Sequence, residues 1–206
     1  MTAGPIWLVR HAPTDWTGVR WCGRSDPSLN AAGRDGAERI AAEIATDLAD
    51  LARPAAATVV LTSPLRRARE TAAAIARAVG SAPAQIEPDL AEIDFGVADG
   101  LTWGELVAAH ADLAEAVLAG ANRDWPGGET MAQVVGRARN ATDRIVQAVE
   151  SHAIVVVSHG GLLGEIADLL SRGAVAGWSF EPASALRLDL AGGAWVTAAR
   201  KPVGVG

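Results

Sequence analysis

The chain reads as a layered α/β fold, three layers deep, with helices on both faces of a mixed, mostly parallel central sheet. Three observations carry that reading. Ile6-Trp7-Leu8-Val9, Thr58–Leu61 and Ile154–Val157 are short apolar runs, the mark of strands buried on both faces. Segments with apolar residues at helical spacing lie between them. Two of the runs end in a histidine, at Arg10-His11 and at Ser158-His159, and the second passes straight into Gly160-Gly161. A strand that stops at a polar residue and turns through glycine feeds a helix, and open α/β sheets bind ligands just beyond such strand ends.

Ile6–Arg10 is the first strand, followed by a helix whose face is Ala37, Ile40, Ala41, Ile44, Ala45 and Leu48. The strand Thr58–Leu61 ends in Thr62-Ser63-Pro64, where Ser63 is placed to cap a helix with Pro64 in its first position, running to about Val79. Val134, Ala138, Ala141, Ile145 and Ala148 mark a further helix, then come the strand Ile154–Ser158 and a helix from about Leu162 to Leu170. Leu186, Leu188 and Leu190 alternate with other residues before Ala191-Gly192-Gly193 turns the chain into Trp195-Val196-Thr197, an antiparallel hairpin that makes the sheet mixed. Between 88 and 130 glycines interrupt the pattern, although Trp103–Leu118 contains a helix, and this insertion is expected to cover a site.

At 206 residues, half of them hydrophobic and a fifth charged, the chain is expected to form one domain spanning 1–206. A net charge of −6 with scattered arginines excludes a basic nucleic-acid surface and leaves a small molecule as partner, with the protein a monomer or homodimer. Cys22 is the only cysteine, so no intrachain disulfide forms. The N-terminal apolar run is broken by Arg10 and His11, too early for a secretory signal. The longest apolar stretch, Ala153–Leu170, carries His159, Glu165 and Asp168, which argues against a membrane span. The expectation is a cytoplasmic protein without a cofactor and without a metal ligand set.

Both strand-end histidines are expected to face one crevice, with Arg10 beside the first and a helix N-terminus beyond the second, an arrangement suited to an anion and specifically to phosphate. Either histidine alone reads equally well as a packed strand-end residue, so the argument rests on their joint order. His110 and His152 belong to no such pattern and read as solvated. Trp7 and Trp195 read as strand core, whereas Trp21 and Trp125 sit in glycine-rich loops and are candidates to line a pocket.

Leu8-Val9-Arg10-His11-Ala12-Pro13-Thr14 resembles the signature of the histidine phosphatase superfamily, branch 1, the phosphoglycerate mutase-like fold. Thr62-Ser63-Pro64-Leu65-Arg66-Arg67-Ala68 is similar to that family's second arginine motif, Leu90-Ala91-Glu92-Ile93-Asp94-Phe95-Gly96 to its proton-donor motif, and Val157-Ser158-His159-Gly160-Gly161 to its second-histidine motif. The four occur in the family's order and span nearly the whole chain. The resemblance implies that His11 attacks phosphorus and forms a phosphohistidine. It implies that Arg10 and Arg67 hold phosphoryl oxygens with forked guanidinium groups, and that His159, protonated when phosphate is bound, adds a donor. Glu92 is implied to protonate the leaving group and then activate water. Arg67 is preferred over Arg66 because the family's arginine lies four positions after its serine, which leaves Arg66 facing solvent. Asp94 and Asp99 are the alternatives to Glu92.

Thr14, Thr17, Ser63 and Gly160 are further candidates for phosphate contact, Trp21 and Arg24 for the substrate edge. For Arg24, pairing with Asp26 is the ordinary alternative, as loop and capping roles are for Thr14 and Ser63. Ala12, Pro13, Thr17 and the stretch Val97-Ala98-Asp99-Gly100 depart from the usual family residues, which bears on pocket shape and lid packing. Arg20–Leu29 resembles the corresponding loop of α-ribazole phosphatases. The resulting expectation is a metal-independent phosphatase acting on a small phosphorylated metabolite. The alternatives are a cofactor-dependent phosphoglycerate mutase, disfavoured by the short stretch from Gly100 to Pro126, and a noncatalytic phospho-ligand binder, disfavoured by the presence of both His11 and Glu92.

Overall fold

The structure, a computed structural model, describes residues 3–51, 58–120, 124–175 and 177–198. They form a mixed six-stranded sheet with helices packed on both faces. In chain order the elements are β1 (Ile6–Arg10), α1 (Ala31–Asp50), β2 (Thr58–Thr62), α2 (Arg66–Val79), β3 (Gln85–Ile86), α3 (Trp103–Ala109), α4 (Ala111–Leu118), α5 (Met131–Val149), β4 (Ala153–Ser158), α6 (Gly160–Ser171), β5 (Ala185–Ala191) and β6 (Ala194–Thr197). The strand order is β3-β2-β4-β1-β5-β6. The first four run parallel, while β5 pairs antiparallel with β1 and β6 antiparallel with β5, as the C-terminal hairpin requires.

Strand geometry divides the core in two. Side chains alternate across a sheet, so Ile6, Leu8, Ile154 and Val156 face α5 and α6, joining Val134, Ile145, Leu162 and Ile166. Trp7, Val9, Val155 and Val157 face the other way, onto Ile40, Ile44 and Leu48 of α1 and Ala72 and Ile75 of α2. Because both faces are covered, β1 and β4 are apolar up to their last residues, Arg10 and Ser158, which is why they read as continuous runs instead of alternating ones.

Three features differ from the sequence reading, each for a local reason. Helix α1 begins at Ala31, six residues before its apolar face declares itself, with the Asn30 side chain accepting from Gly33 N at 2.8 Å. A Cβ on Gly33 would lie 2.0 Å from the Pro13 carbonyl oxygen, so this first turn rests on backbone and shows no hydrophobic period. Helix α2 starts at Arg66 with Leu65 as its entry residue, so Ser63 and Pro64 lie before it; the Ser63 hydroxyl accepts from Leu65 N at 3.1 Å and also from a histidine. The two-residue strand β3 was not expected, since Gln85 and Ile86 are exposed and carry no apolar signature.

The weakly patterned stretch after β3 holds two 3₁₀ turns, Pro88–Leu90 and Gly96–Ala98, then α3 and α4, which meet at His110. A capping box between Thr102 and Glu105 starts α3. Ala98, Leu106, Leu113 and Ala114 give this stretch a small core of its own, against which Trp21, Phe95 and Trp125 pack. Its first part supplies Glu92 and its helical part Trp103 to the same cleft.

Candidate active site

Sheet register brings three strand ends together. Arg10 lies opposite Ser158, and His11 N donates to the Ser158 carbonyl at 2.9 Å, so His11 and His159 leave adjacent strands side by side. Ser63 follows β2 on the other flank of β4, its N–H donating to the Val157 carbonyl at 3.0 Å. The two imidazole centroids are 5.0 Å apart. Above them opens a cleft of about 640 Å³, lined among others by Arg10, His11, Thr14, Thr17, Trp21, Glu92 and Gly160.

The tautomer of His11 follows from its partner. Nδ1 lies 2.8 Å from the Ala12 carbonyl oxygen, which only accepts, so Nδ1 carries the proton and Nε2 keeps its lone pair. Burial first, and the Arg67 charge second, push the His11 imidazole down to about 3, so it is neutral at ordinary pH. Arg67 Nε donates to His11 Nε2 at 3.3 Å and to His159 Nδ1 at 3.2 Å, lying between the two rings. With Nδ1 of His159 accepting, its Nε2 holds the proton and donates to Ser63 Oγ at 2.8 Å. Burial, then Arg67, keep His159 well below the usual histidine value.

Four other residues expected to hold phosphate or substrate, Arg67, His159, Ser63 and Arg24, are engaged by the protein itself. The forked end of Arg67, expected to face phosphate, donates instead to the carbonyls of Ser25 (2.7 Å), Cys22 (3.0 Å) and Gly23 (2.9 Å). Arg67, His159 and Ser63 are fully buried beneath His11, and none forms the cleft wall. In this tautomer the one N–H of His159 is taken up by Ser63. Arg24 also lies off the wall, and it pairs with Glu129 at 3.4 Å, not with Asp26. Arg66 faces solvent and pairs with Glu70, as expected.

Arg10 is the cation on the cleft wall beside His11. Its Nη1 donates to the Phe180 carbonyl at 2.7 Å, while Nε is buried without a hydrogen-bond partner among the described residues. Burial lowers the Arg10 value and the Glu92 carboxylate opposes that shift. Thr14 and Thr17 form a turn in which Thr17 Oγ1 accepts from Thr14 N at 2.9 Å and Thr14 Oγ1 from Trp16 N at 3.2 Å, with both residues on the wall.

Of the three carboxylates weighed as acid, Glu92 is the one lining the cleft. Its Oε1 accepts from Ile93 N at 3.0 Å and Leu162 N at 3.2 Å, and Oε2 from Gly161 N at 3.4 Å, so the start of α6 fixes it in place. Asp94 caps Gly96 N, and Asp99 accepts from Gly23 N and Ser25 N at 2.9 and 2.8 Å. Asp99 thus holds the loop whose carbonyls hold Arg67.

Two residues that the sequence reading did not list support this geometry. Arg137 on α5 donates to the carbonyls of Asp89, Ala91 and Glu92 and pairs with Glu129 at 2.6 Å, clamping the backbone on either side of the Glu92 side chain. It stands beside the apolar face of α5 and belongs to no motif, so no sequence signal points to it. Gly161 had a signal in the Gly-Gly pair after His159, but the weight was placed on Gly160. A Cβ on Gly160 would meet Arg10 at an ordinary 3.6 Å, whereas one on Gly161 would lie 2.9 Å from both Glu92 Oε1 and Ile93 Cδ1. Gly161→Ala is therefore expected to displace the Glu92 carboxylate and lower turnover by about 10²-fold, with the melting temperature measured alongside to separate this from unfolding.

The buried histidines also set an acid dependence of stability. An unfolded histidine takes up its proton as pH falls through 6.5, whereas folded His11 does so only near about 3. Between those values the unfolded chain binds more protons, so stability falls as pH falls. Urea titrations across that window are expected to show a steady loss of stability on acidification, with a shallower slope in His11→Gln.

A buried histidine with an unprotonated Nε2, an arginine beside it, a second histidine and a carboxylate on a helix N-terminus come from the four motifs read from the sequence. Residues 6–201 match the family model described as histidine phosphatase superfamily (branch 1). The chain belongs to that superfamily. This histidine phosphatase homologue is 34% identical over 153 residues to the bifunctional protein Rv2228c of Mycobacterium tuberculosis, covering 74% of the chain but only 40% of that relative. It is 33% identical to a metal-independent phosphoserine phosphatase of Arabidopsis thaliana (84% of the chain, 71% of the relative) and 30% identical to a probable phosphoglycerate mutase of Erwinia tasmaniensis (80% and 74%). Among solved structures it superposes on a mycobacterial glucosyl-3-phosphoglycerate phosphatase complexed with VO3 with a TM-score of 0.76 and 28% identity, covering 95% of this chain and 98% of that one. Membership in this superfamily takes in both phosphatases and mutases.

Proposed function

We propose that this protein is a phosphoric monoester hydrolase that acts on a small phosphorylated metabolite, without a metal, through a phosphohistidine at His11. The observation that carries the proposal is the tautomer of His11: a neutral imidazole with its N–H fixed on a carbonyl and its Nε2 lone pair beside Arg67 and next to the cleft. In the first step Nε2 attacks phosphorus, the P–O bond to the leaving group breaks, and the Glu92 carboxyl gives that oxygen its proton. In the second, water attacks the phosphohistidine, loses a proton to the Glu92 carboxylate, and the P–N bond breaks to return neutral His11.

Arg10 supplies donors and charge to the phosphoryl oxygens from the cleft wall. Arg67 acts from behind: a phosphoryl group on His11 Nε2 displaces the lone pair that receives the Arg67 Nε–H and leaves that donor for a phosphoryl oxygen. Thr14 and Thr17 border the same oxygens. Such a cluster does by position and charge what phosphoryl transfer needs.

The test compares wild type with His11→Ala for phosphate release from p-nitrophenyl phosphate, α-ribazole phosphate, phosphoserine and 3-phosphoglycerate, with chelator present, and follows 2-phosphoglycerate formation in parallel. Metal-independent release that depends on His11 supports hydrolysis. Isomerisation primed by the bisphosphate without net release means a mutase, and tight binding without turnover means a phospho-ligand binder.

A further inference from the structure

We infer that the physiological ester carries an aromatic leaving group with no anionic centre besides the phosphate, an inference that rests on the phosphoryl-binding reading above and narrows its substrate class. The chain has seven tryptophans, two phenylalanines and no tyrosine, and six of those rings, Trp16, Trp21, Phe95, Trp103, Trp178 and Phe180, line the one cleft above His11. Six of the nine aromatic residues thus border the phosphate site; Phe180 belongs to the core and Phe95 and Trp178 pack against it, whereas Trp103 stands 39% exposed at the first position of α3, where core packing does not call for it.

The walls are also fixed in advance. Trp21 stands 5.2 Å from Phe95 and 5.2 Å from Trp125, and Phe95 lies 4.7 Å from Trp125, so each ring braces the others. Trp16 rests over Gly100, where a Cβ would come within 3.7 Å of its ring. Rigid aromatic walls bind a flat apolar group with little ordering cost. At about 640 Å³ the cleft holds far more than a phosphate.

Charge points the same way. The arginines on the wall are Arg10 and Arg20. Arg10 stands beside His11, and Arg20 is engaged by the Gly100 carbonyl at 2.7 Å and neutralised by Glu105 at 3.0 Å. The Cys22 thiol, which burial raises to about 11, stays uncharged. Besides Arg10, a carboxylate on the leaving group, as in phosphoserine or phosphoglycerate, would meet among the described residues of the wall only Arg20, already paired with Glu105, and would surrender its hydration for aromatic surface. A ring in the same place gains stacking and apolar burial.

The experiment measures binding of two inert phosphonates to the whole protein by calorimetry: 2-phenylethylphosphonate, the isostere of benzyl phosphate, and 2-amino-4-phosphonobutanoate, that of phosphoserine. Hydrolysis of the two parent esters is followed beside it. The aromatic phosphonate is expected to bind about tenfold more tightly, the order of one well-placed ring contact. That ratio is expected to shrink in Trp103→Ala and to shift toward the carboxylate compound in Val19→Lys, which adds a cation at an exposed wall position. Equal binding, preference for the carboxylate compound, or binding of neither overturns the inference. Aromatic preference without hydrolysis of either ester keeps the ligand class and rejects the phosphatase reading instead.

Discussion

His11→Ala is expected to lower hydrolysis of every phosphate monoester the protein accepts by about 10⁴-fold or more, the scale on which removal of a covalent nucleophile acts. The loss falls mainly on turnover, because alanine at this buried site loses two hydrogen bonds, one from Nδ1 to the carbonyl of the neighbouring Ala12 and one accepted from Arg67 Nε, which still has His159 Nδ1 as a partner. Arg10 and Glu92 remain in the variant, so inorganic phosphate should still bind. Steady-state kinetics on wild type and variant, with isothermal titration of phosphate, check both halves. A variant that retains a tenth of the activity would remove His11 from the covalent role.

Arg67→Ala is expected to have the largest effect on stability, about 3–5 kcal/mol, for a reason the sequence does not show. The side chain is fully buried and its guanidinium makes five contacts: three carbonyls of the 22–25 loop and one nitrogen on each histidine. Removing it leaves three carbonyls without their donor, that of Gly23 buried and those of Cys22 and Ser25 partly buried, and frees the loop that also carries Trp21 and Cys22. Lysine does not replace the planar fork, so Arg67→Lys is expected to recover only part of the loss. Urea denaturation of the three proteins measures the difference. A destabilisation below about 1 kcal/mol in Arg67→Ala would mean that the loop holds itself.

The fold was legible because its signals are local. β1 and β4 are buried on both faces and therefore read as unbroken apolar runs, and each ends at the histidine that the register sets beside the other. Helix α1 was read from its buried face but not from its start, since the first turn is defined by a backbone contact between Gly33 and Pro13. The site was legible as a set of residues and much less as a set of directions. That Arg67 belongs near His11 follows from a motif; that its fork points away from the cleft depends on how the 22–25 loop folds back, and that is decided by Asp99, more than seventy residues later in the chain. The partner of Arg24 is hidden for the same reason, because Glu129, and not the nearby Asp26, comes to it only after the segment from Pro88 to Thr130 has folded. Arg137 and Gly161 act on Glu92 through backbone and through empty space, neither of which leaves a distinctive residue pattern.

The central claim is covalent, and covalent trapping tests it most directly. The protein is mixed with p-nitrophenyl phosphate, quenched with alkali, which preserves phosphohistidine, and analysed by intact mass and by peptide mapping. One phosphoryl group on His11, acid-labile and absent from His11→Ala, is the result predicted. Phosphate release with no label on the protein under any quench, or a label on Cys22 or another residue, would contradict it.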